Sequence, residues 1–197
     1  MIIVDVETTG IDPKKHSIAS IGAVDFFNSN QFYRECRIFD GAEITQRALE
    51  INGFSEKQLK DINKYPLEKI ILEFIWWTNW RQEITLAGEN PSFDRDFLKA
   101  SAERYNIAYN PGYRTIDLHT SCYSNYLRRG ISPPIKNGRT DLDTDKIFNY
   151  VGLSSEPKPH HALTGAKMEA EAFSRLIYGK NLLGEFGEFQ IPSYLLQ

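Results

Sequence analysis

The feature that most narrows the possible folds stands at the start of the chain. An apolar, largely β-branched run, Met1-Ile2-Ile3-Val4, continues into Asp5-Val6-Glu7-Thr8-Thr9-Gly10. Such a run reads as a buried strand. Residues two apart on a strand share a face, so Asp5 and Glu7 point the same way at its end. Two carboxylates side by side there repel each other and lose hydration unless a cation holds them. For an isolated pair of this kind the alternative is a solvated turn after an edge strand. The rest of the chain therefore has to decide between the two.

Two further β-branched runs, residues 17–27 and 31–39, are joined by an Asn28-Ser29-Asn30 turn and predict a hairpin. Helices are expected over 55–61 and over 66–81, where Pro66 suits a first helical turn. Strands are expected over 84–87 and 113–117. Further helices are expected over 91–105, 118–128, 141–151 and 161–178, the last capped by Gly179. Three leading strands followed by alternating helix and strand imply an α/β fold with a mixed five-stranded sheet flanked by helices. No repeat or linker divides the 197 residues. One domain over 1–180 is expected, with an apolar tail over 181–197 packed on it or at an oligomer interface.

A chain of this length buries a core without disulfides or a structural metal, and Cys36 and Cys122 read as two free thiols of a reducing compartment. No leader and no apolar span is evident, which predicts a cytoplasmic protein that does not engage a membrane. The formal charge of -3 argues against a broad basic face that coats duplex DNA. A small nucleic-acid pocket built around metal ions stays allowed, because the ions bring their own positive charge.

Two later segments add to the acids of the first strand. Asn90-Pro91-Ser92-Phe93-Asp94 opens a helix after the fourth strand and places Asp94 in its first turn, where an acid also complements the helix dipole. His160-His161-Ala162-Leu163 opens the last long helix after a Pro-rich loop. Taken together, the three segments resemble the DEDDh family of 3′–5′ exonucleases, proofreading-type nucleases with a ribonuclease-H-like fold. The family pattern D-x-E-T-T-G stands at Asp5 to Gly10, N-x-x-F-D at Asn90 to Asp94, and H-x-A-x-x-D-A at His160 to Ala166 with one departure: Gly165 replaces the last aspartate.

The resemblance implies a 3′–5′ exonuclease that removes nucleoside monophosphates from the 3′ ends of single-stranded DNA or RNA with two Mg²⁺ or Mn²⁺ ions. It implies Asp5, Glu7 and Asp94 as metal ligands and His160 as general base, with His161 an exposed neighbour. Thr8, Thr9, Gly10, Asn90 and Phe93 would meet substrate, Phe93 having a core aromatic as its equal alternative. Trp76, Trp77 and Trp80, at helical spacing beside Ile70, Ile71 and Phe74, read as core more readily than as a stacking platform. Arg128, Arg129, Lys136 and Arg139 read by default as a solvated loop and, less readily, as phosphate contacts.

Gly165 removes one negative charge and one ligand position, which implies weak metal binding and slow turnover. Three readings stay open: an inactive relative that binds single-stranded ends or a replication partner without cutting, an active enzyme carrying a single Asp-to-Gly substitution, or replacement by another acid. Glu169, one helical turn on, is the candidate for replacement, against a solvated helix residue as its alternative. No turn or helix crossing in the sequence accounts for the glycine, so restoring aspartate is expected to cost nothing in folding. The tail, with Leu182, Leu183, Phe186, Phe189, Tyr194, Leu195 and Leu196, packs on its own domain, forms a homodimer or docks a polymerase.

Overall fold

The computed structural model describes residues 1–196. In chain order the elements are β1 (Ile2–Thr8), β2 (Ile18–Asp25), β3 (Gln31–Glu35), α1 (Gln46–Asn52), α2 (Glu56–Leu59), α3 (Leu67–Asn79), β4 (Leu86–Gly88), α4 (Pro91–Arg104), β5 (Ile116–Asp117), α5 (Leu118–Arg128), β6 (Ile135–Lys136), β7 (Arg139–Thr140), α6 (Thr144–Tyr150) and α7 (Ala162–Tyr178). Two short 3-10 turns follow in the tail. The mixed five-stranded sheet has the order β3-β2-β1-β4-β5, with antiparallel β1/β2 and β2/β3 pairs and parallel β1/β4 and β4/β5 pairs. No helix among the described residues is long and apolar enough to cross a membrane.

Alternation along β1 assigns its two faces. Ile2, Val4 and Val6 enter the core layer built with α3 and α4, whereas Ile3 enters the layer built with α5, α6 and α7. Asp5 and Glu7 share the parity of Ile3, so both acids face the α7 side. Gly22 is the register partner of Asp5 on β2. A Cβ at Gly22 would run into the Ala162 carbonyl and the Leu163 amide, so the missing side chain lets the start of α7 lie directly on the sheet beside Asp5. Cys36 and Cys122 are free and buried in different core layers.

Several expectations need correction. Residues 51 and 52 do not precede the first helix but end it. Thr45 caps α1 through its hydroxyl, which accepts from Ala48 N at 3.3 Å, and Gly53 closes the helix in the left-handed region at φ 72°. The helix was hidden because Asn52 is its one buried residue, so it has no apolar stripe to read. The two-stranded hairpin β6/β7 was also missed. It turns on Asn137 and Gly138, both at positive φ. The last long helix starts at Ala162 with His161 as its cap, which leaves His160 in the preceding loop.

The tryptophans divide. Trp77 packs against Phe32 and Phe74, but Trp76 and Trp80 are 65% and 72% exposed and touch each other at 6.4 Å. Adjacent helical positions cannot share a face, and the core side of α3 is already filled by Leu67, Ile70, Ile71 and Phe74. Leu183 and Leu195 of the tail are buried, with Leu182, Phe186 and Ile191 packed against the α7 layer. Arg175, fully buried, pairs with Glu171 at 2.8 Å and donates to Asn181 Oδ1 and to the Phe186 and Phe189 carbonyls. Glu171 in turn accepts from the backbone amides of Leu182 and Leu183.

Candidate active site

The carboxyl ends of the parallel strands β1 and β4 open into a cleft of about 310 Å³, the place where ligands bind in open α/β sheets. It is lined by Asp5, Glu7, Asp94, His160 and Glu169 among the residues considered from sequence, and also by Thr8, Gly10, Asn90 and Phe93. The pairing of β4 with β1 stops at Ile3 and Ala87, so the β1 backbone beyond it is open on that side. Asp94, from the first turn of α4, uses the opening: its Oδ1 accepts the Val6 N–H at 2.9 Å. Two acids of the first strand and one of α4 are thereby held at a single strand end.

The Asp5-to-Gly10 turn is fixed from outside. Asn52 at the end of α1 donates from Nδ2 to the Thr8 carbonyl at 3.0 Å, and the Thr8 hydroxyl donates to the Gly10 carbonyl at 2.7 Å. Thr9 differs from its expected role. Its hydroxyl donates to the Glu43 carbonyl and accepts from Ser17 N, its amide donates to Ser17 O, and its carbonyl accepts from Thr45 N. With every polar group engaged and the side chain fully buried, Thr9 supports the turn and does not face the cleft. Asn90, in the left-handed region at φ 50°, accepts from the Ser92 hydroxyl. Phe93 combines the two roles weighed for it, lining the cleft while packing on Phe97 at 4.8 Å.

His160 lines the cleft, its Nδ1 3.5 Å from Glu156 Oε2. His161 is exposed and stacks on Tyr33 with ring centroids 4.4 Å apart. Glu169 is not a solvated helix residue. It is 7% exposed, and its Oε2 is buried without a hydrogen-bond partner. Sequence reading missed Glu156 altogether: its side chain is 9% exposed, and its Oε1 is also buried and unpartnered. It missed Arg47 too, the one Lys or Arg lining the cleft among the described residues, because α1 itself was unseen. Of the basic residues first considered, Arg129 is held by Tyr150 and stacks on Tyr194, away from the cleft.

The electrostatics are those of crowded acids. Burial, then Glu7, Asp94 and Glu156, hold the Asp5 carboxyl well above the usual carboxylate range. Burial and Glu156 push Glu7 up to about 7. Burial raises Asp94 to about 8 against the opposing effect of the Val6 N–H it accepts. Glu169 is raised well above its ordinary value by burial and by Asp5 and Asp94, and Glu156 is raised mainly by burial. Among the described residues, no three His, Cys, Asp or Glu side chains already form an ion cage. The donors are nevertheless all hard oxygens, and two buried carboxylate oxygens lack any partner. That set suits Mg²⁺ or Mn²⁺.

Fold and site together define a ribonuclease-H-like nuclease domain. A family model described as exonuclease matches residues 2–173. The chain belongs to this exonuclease family. The DNA polymerase III PolC-type protein of Streptococcus pyogenes serotype M2 is 27% identical over 152 residues, 76% of this chain and 10% of that protein. The PolC-type protein of Streptococcus agalactiae serotype III is 26% identical over the same shares. The chain thus spans about a tenth of the length of these curated relatives. Among solved structures, the nuclease domain of 3'hExo, a DEDDh family member bound to rAMP, has a TM-score of 0.67 at 16% identity, covering 98% of this chain and 95% of that one. Exonuclease I of E. coli in complex with a dA16 oligonucleotide has a TM-score of 0.70 at 16% identity, covering 91% and 40%.

Proposed function

We propose that this chain hydrolyses the terminal phosphodiester of single-stranded DNA or RNA and so releases nucleoside monophosphates one at a time from the 3′ end, with Asp5, Glu7 and Asp94 holding two Mg²⁺ or Mn²⁺ ions. The observation that carries this reading is the pair of buried, unpartnered carboxylate oxygens of Glu156 and Glu169 in the same cleft as these acids. Burying several carboxylates with no counter-charge is costly, and a divalent cation removes that cost. When bound, the ions supply the positive charge that favours attack of water on the phosphodiester and stabilises the leaving oxygen.

The protein's own residues do the remainder. With Nδ1 of His160 turned to Glu156, Nε2 is the nitrogen left to accept the proton from the attacking water. Glu156 opposite Nδ1 orients the ring. Thr8, Gly10 and Asn90 lie where the terminal sugar would enter, and Phe93, with Ile11 and Ile51 on the rim, offers apolar surface to a base. Arg47 stands at the same mouth and is placed to meet a phosphate. The PolC-type relatives support a setting beside a replicative polymerase.

Gly165 favours a second reading, in which the chain holds a 3′ end and cuts poorly or not at all. Incubating end-labelled single-stranded DNA and RNA with the protein and Mn²⁺ separates the two. Stepwise release of mononucleotides supports the first reading, and retention of intact strand in a Mn²⁺-dependent complex supports the second.

A further inference from the structure

We infer that Glu156 supplies the carboxylate missing at position 165, on the side of the cleft that holds Glu7 and His160. The inference rests on the metal-dependent reading above and assigns one more residue to it.

Glu156 lies in the loop between α6 and α7, and that loop is pinned on both sides of the cleft. The Glu156 amide donates to Asp145 Oδ1 at 3.1 Å, and the His160 amide donates to the Ile51 carbonyl at 2.9 Å. A surface-loop glutamate would normally extend into water, yet this side chain is nine-tenths buried. Its two oxygens divide the work. Oε2 stands 3.5 Å from His160 Nδ1, whereas Oε1 has no partner and lies 3.3 Å from where a Cβ on residue 165 would be. The carboxylate therefore reaches the neighbourhood that an aspartate at 165 would occupy, approaching from the loop instead of from the helix.

Glu169 is the obvious rival, and its placement argues for a different role. Its Oε2 lies 2.8 Å from where a Cβ on Gly88 would be, at the end of β4, and the acids that act on it are Asp5, Asp94 and Glu89. Glu156 acts instead on Glu7 and Asp5. Glu169 thus stands at the end of β4, and the extra acid beside His160 and position 165 is Glu156.

Direct Mn²⁺ titration of the whole chain by calorimetry tests this, with melting temperature in EDTA as the control for folding. Glu156→Gln is expected to weaken Mn²⁺ binding by about tenfold or more, with a metal-free melting temperature no lower than the parent's. Adding Gly165→Asp to Glu156→Gln should recover most of the lost affinity, while adding it to Glu169→Gln should not. Unchanged Mn²⁺ affinity in Glu156→Gln overturns the assignment, as does rescue of Glu169→Gln and not of Glu156→Gln by Gly165→Asp. If the parent binds no Mn²⁺ and Asp5→Ala behaves identically, the metal-dependent reading itself fails and the assignment falls with it.

Discussion

Asp5 occupies the space that Gly165 leaves: a Cβ at position 165 would overlap Asp5 Oδ2 and lie 3.1 Å from Asp5 Cγ. The glycine is therefore explained by close approach of a carboxylate, a reason invisible in the sequence. It follows that Gly165→Asp carries a folding cost, contrary to helix propensity alone. Overpacking of this kind costs about 1–3 kcal/mol, and the added charge joins an already crowded set of acids. The melting temperature in EDTA should fall by roughly 2–10 °C, and Mn²⁺ should restore most of it. A metal-free melting temperature equal to the parent's would show that Asp5 moves aside freely.

The two adjacent histidines are expected to separate cleanly. His160→Ala should lower any nuclease rate by a factor of about 10² to 10⁴, the range for loss of a general base. His161→Ala removes a stack on Tyr33 and should change the rate only slightly. Steady-state rates of both variants on one labelled oligonucleotide check this, and the reverse pattern would move the general base to His161.

The raised carboxylates make the metal-free protein sensitive to pH. Glu7 at about 7 and Asp94 at about 8 bind protons in the folded state that the unfolded chain has already released. Their contribution to stability is therefore full below the unfolded values near 4 and is lost as pH rises through 7 and 8. Melting in EDTA should drop by about 4 °C or more between pH 5 and pH 8.5, and saturating Mn²⁺ should flatten or invert that slope. A metal-free melting curve that rises over this range would contradict the buried placement of these acids.

The tail should behave as part of the domain. Arg175 is fully buried, and three of its acceptors, on Asn181, Phe186 and Phe189, lie beyond α7. Breaking such a pair by Arg175→Ala should cost about 3–5 kcal/mol. Deleting residues 181–197 should destabilise at least as much, because Glu171 also loses the Leu182 and Leu183 amides. Light scattering alongside thermal melts distinguishes this from an oligomer contact, which would instead change the mass and leave the melting temperature nearly unaltered.

The mixed five-stranded sheet and most of its flanking helices were legible in the sequence because β-branched runs and capping residues are local signals. Asp5, Glu7, Asp94 and His160 were singled out by the three motif segments that carry the family resemblance, and all four line one cleft. Glu156 was not, since nothing in a Pro-rich loop indicates that a side chain turns inward. Only the tertiary gap at Gly165 and the pinning of the loop to Asp145 and Ile51 show it. Arg47 stayed hidden for a different reason. The helix that carries it has Asn52 as its one buried residue and no apolar stripe. Thr9 shows the opposite error, a motif position whose side chain proves to be scaffolding.

The most direct test of the central claim is digestion of a 5′-labelled single-stranded oligonucleotide, as DNA and as RNA, with Mn²⁺, with EDTA, and with the Asp5→Ala variant in Mn²⁺. The account predicts a ladder shortening from the 3′ end with release of nucleoside monophosphates from at least one of the two strands, in the parent with Mn²⁺ only. Intact strand under all three conditions, or shortening that persists in EDTA or in Asp5→Ala, would contradict it.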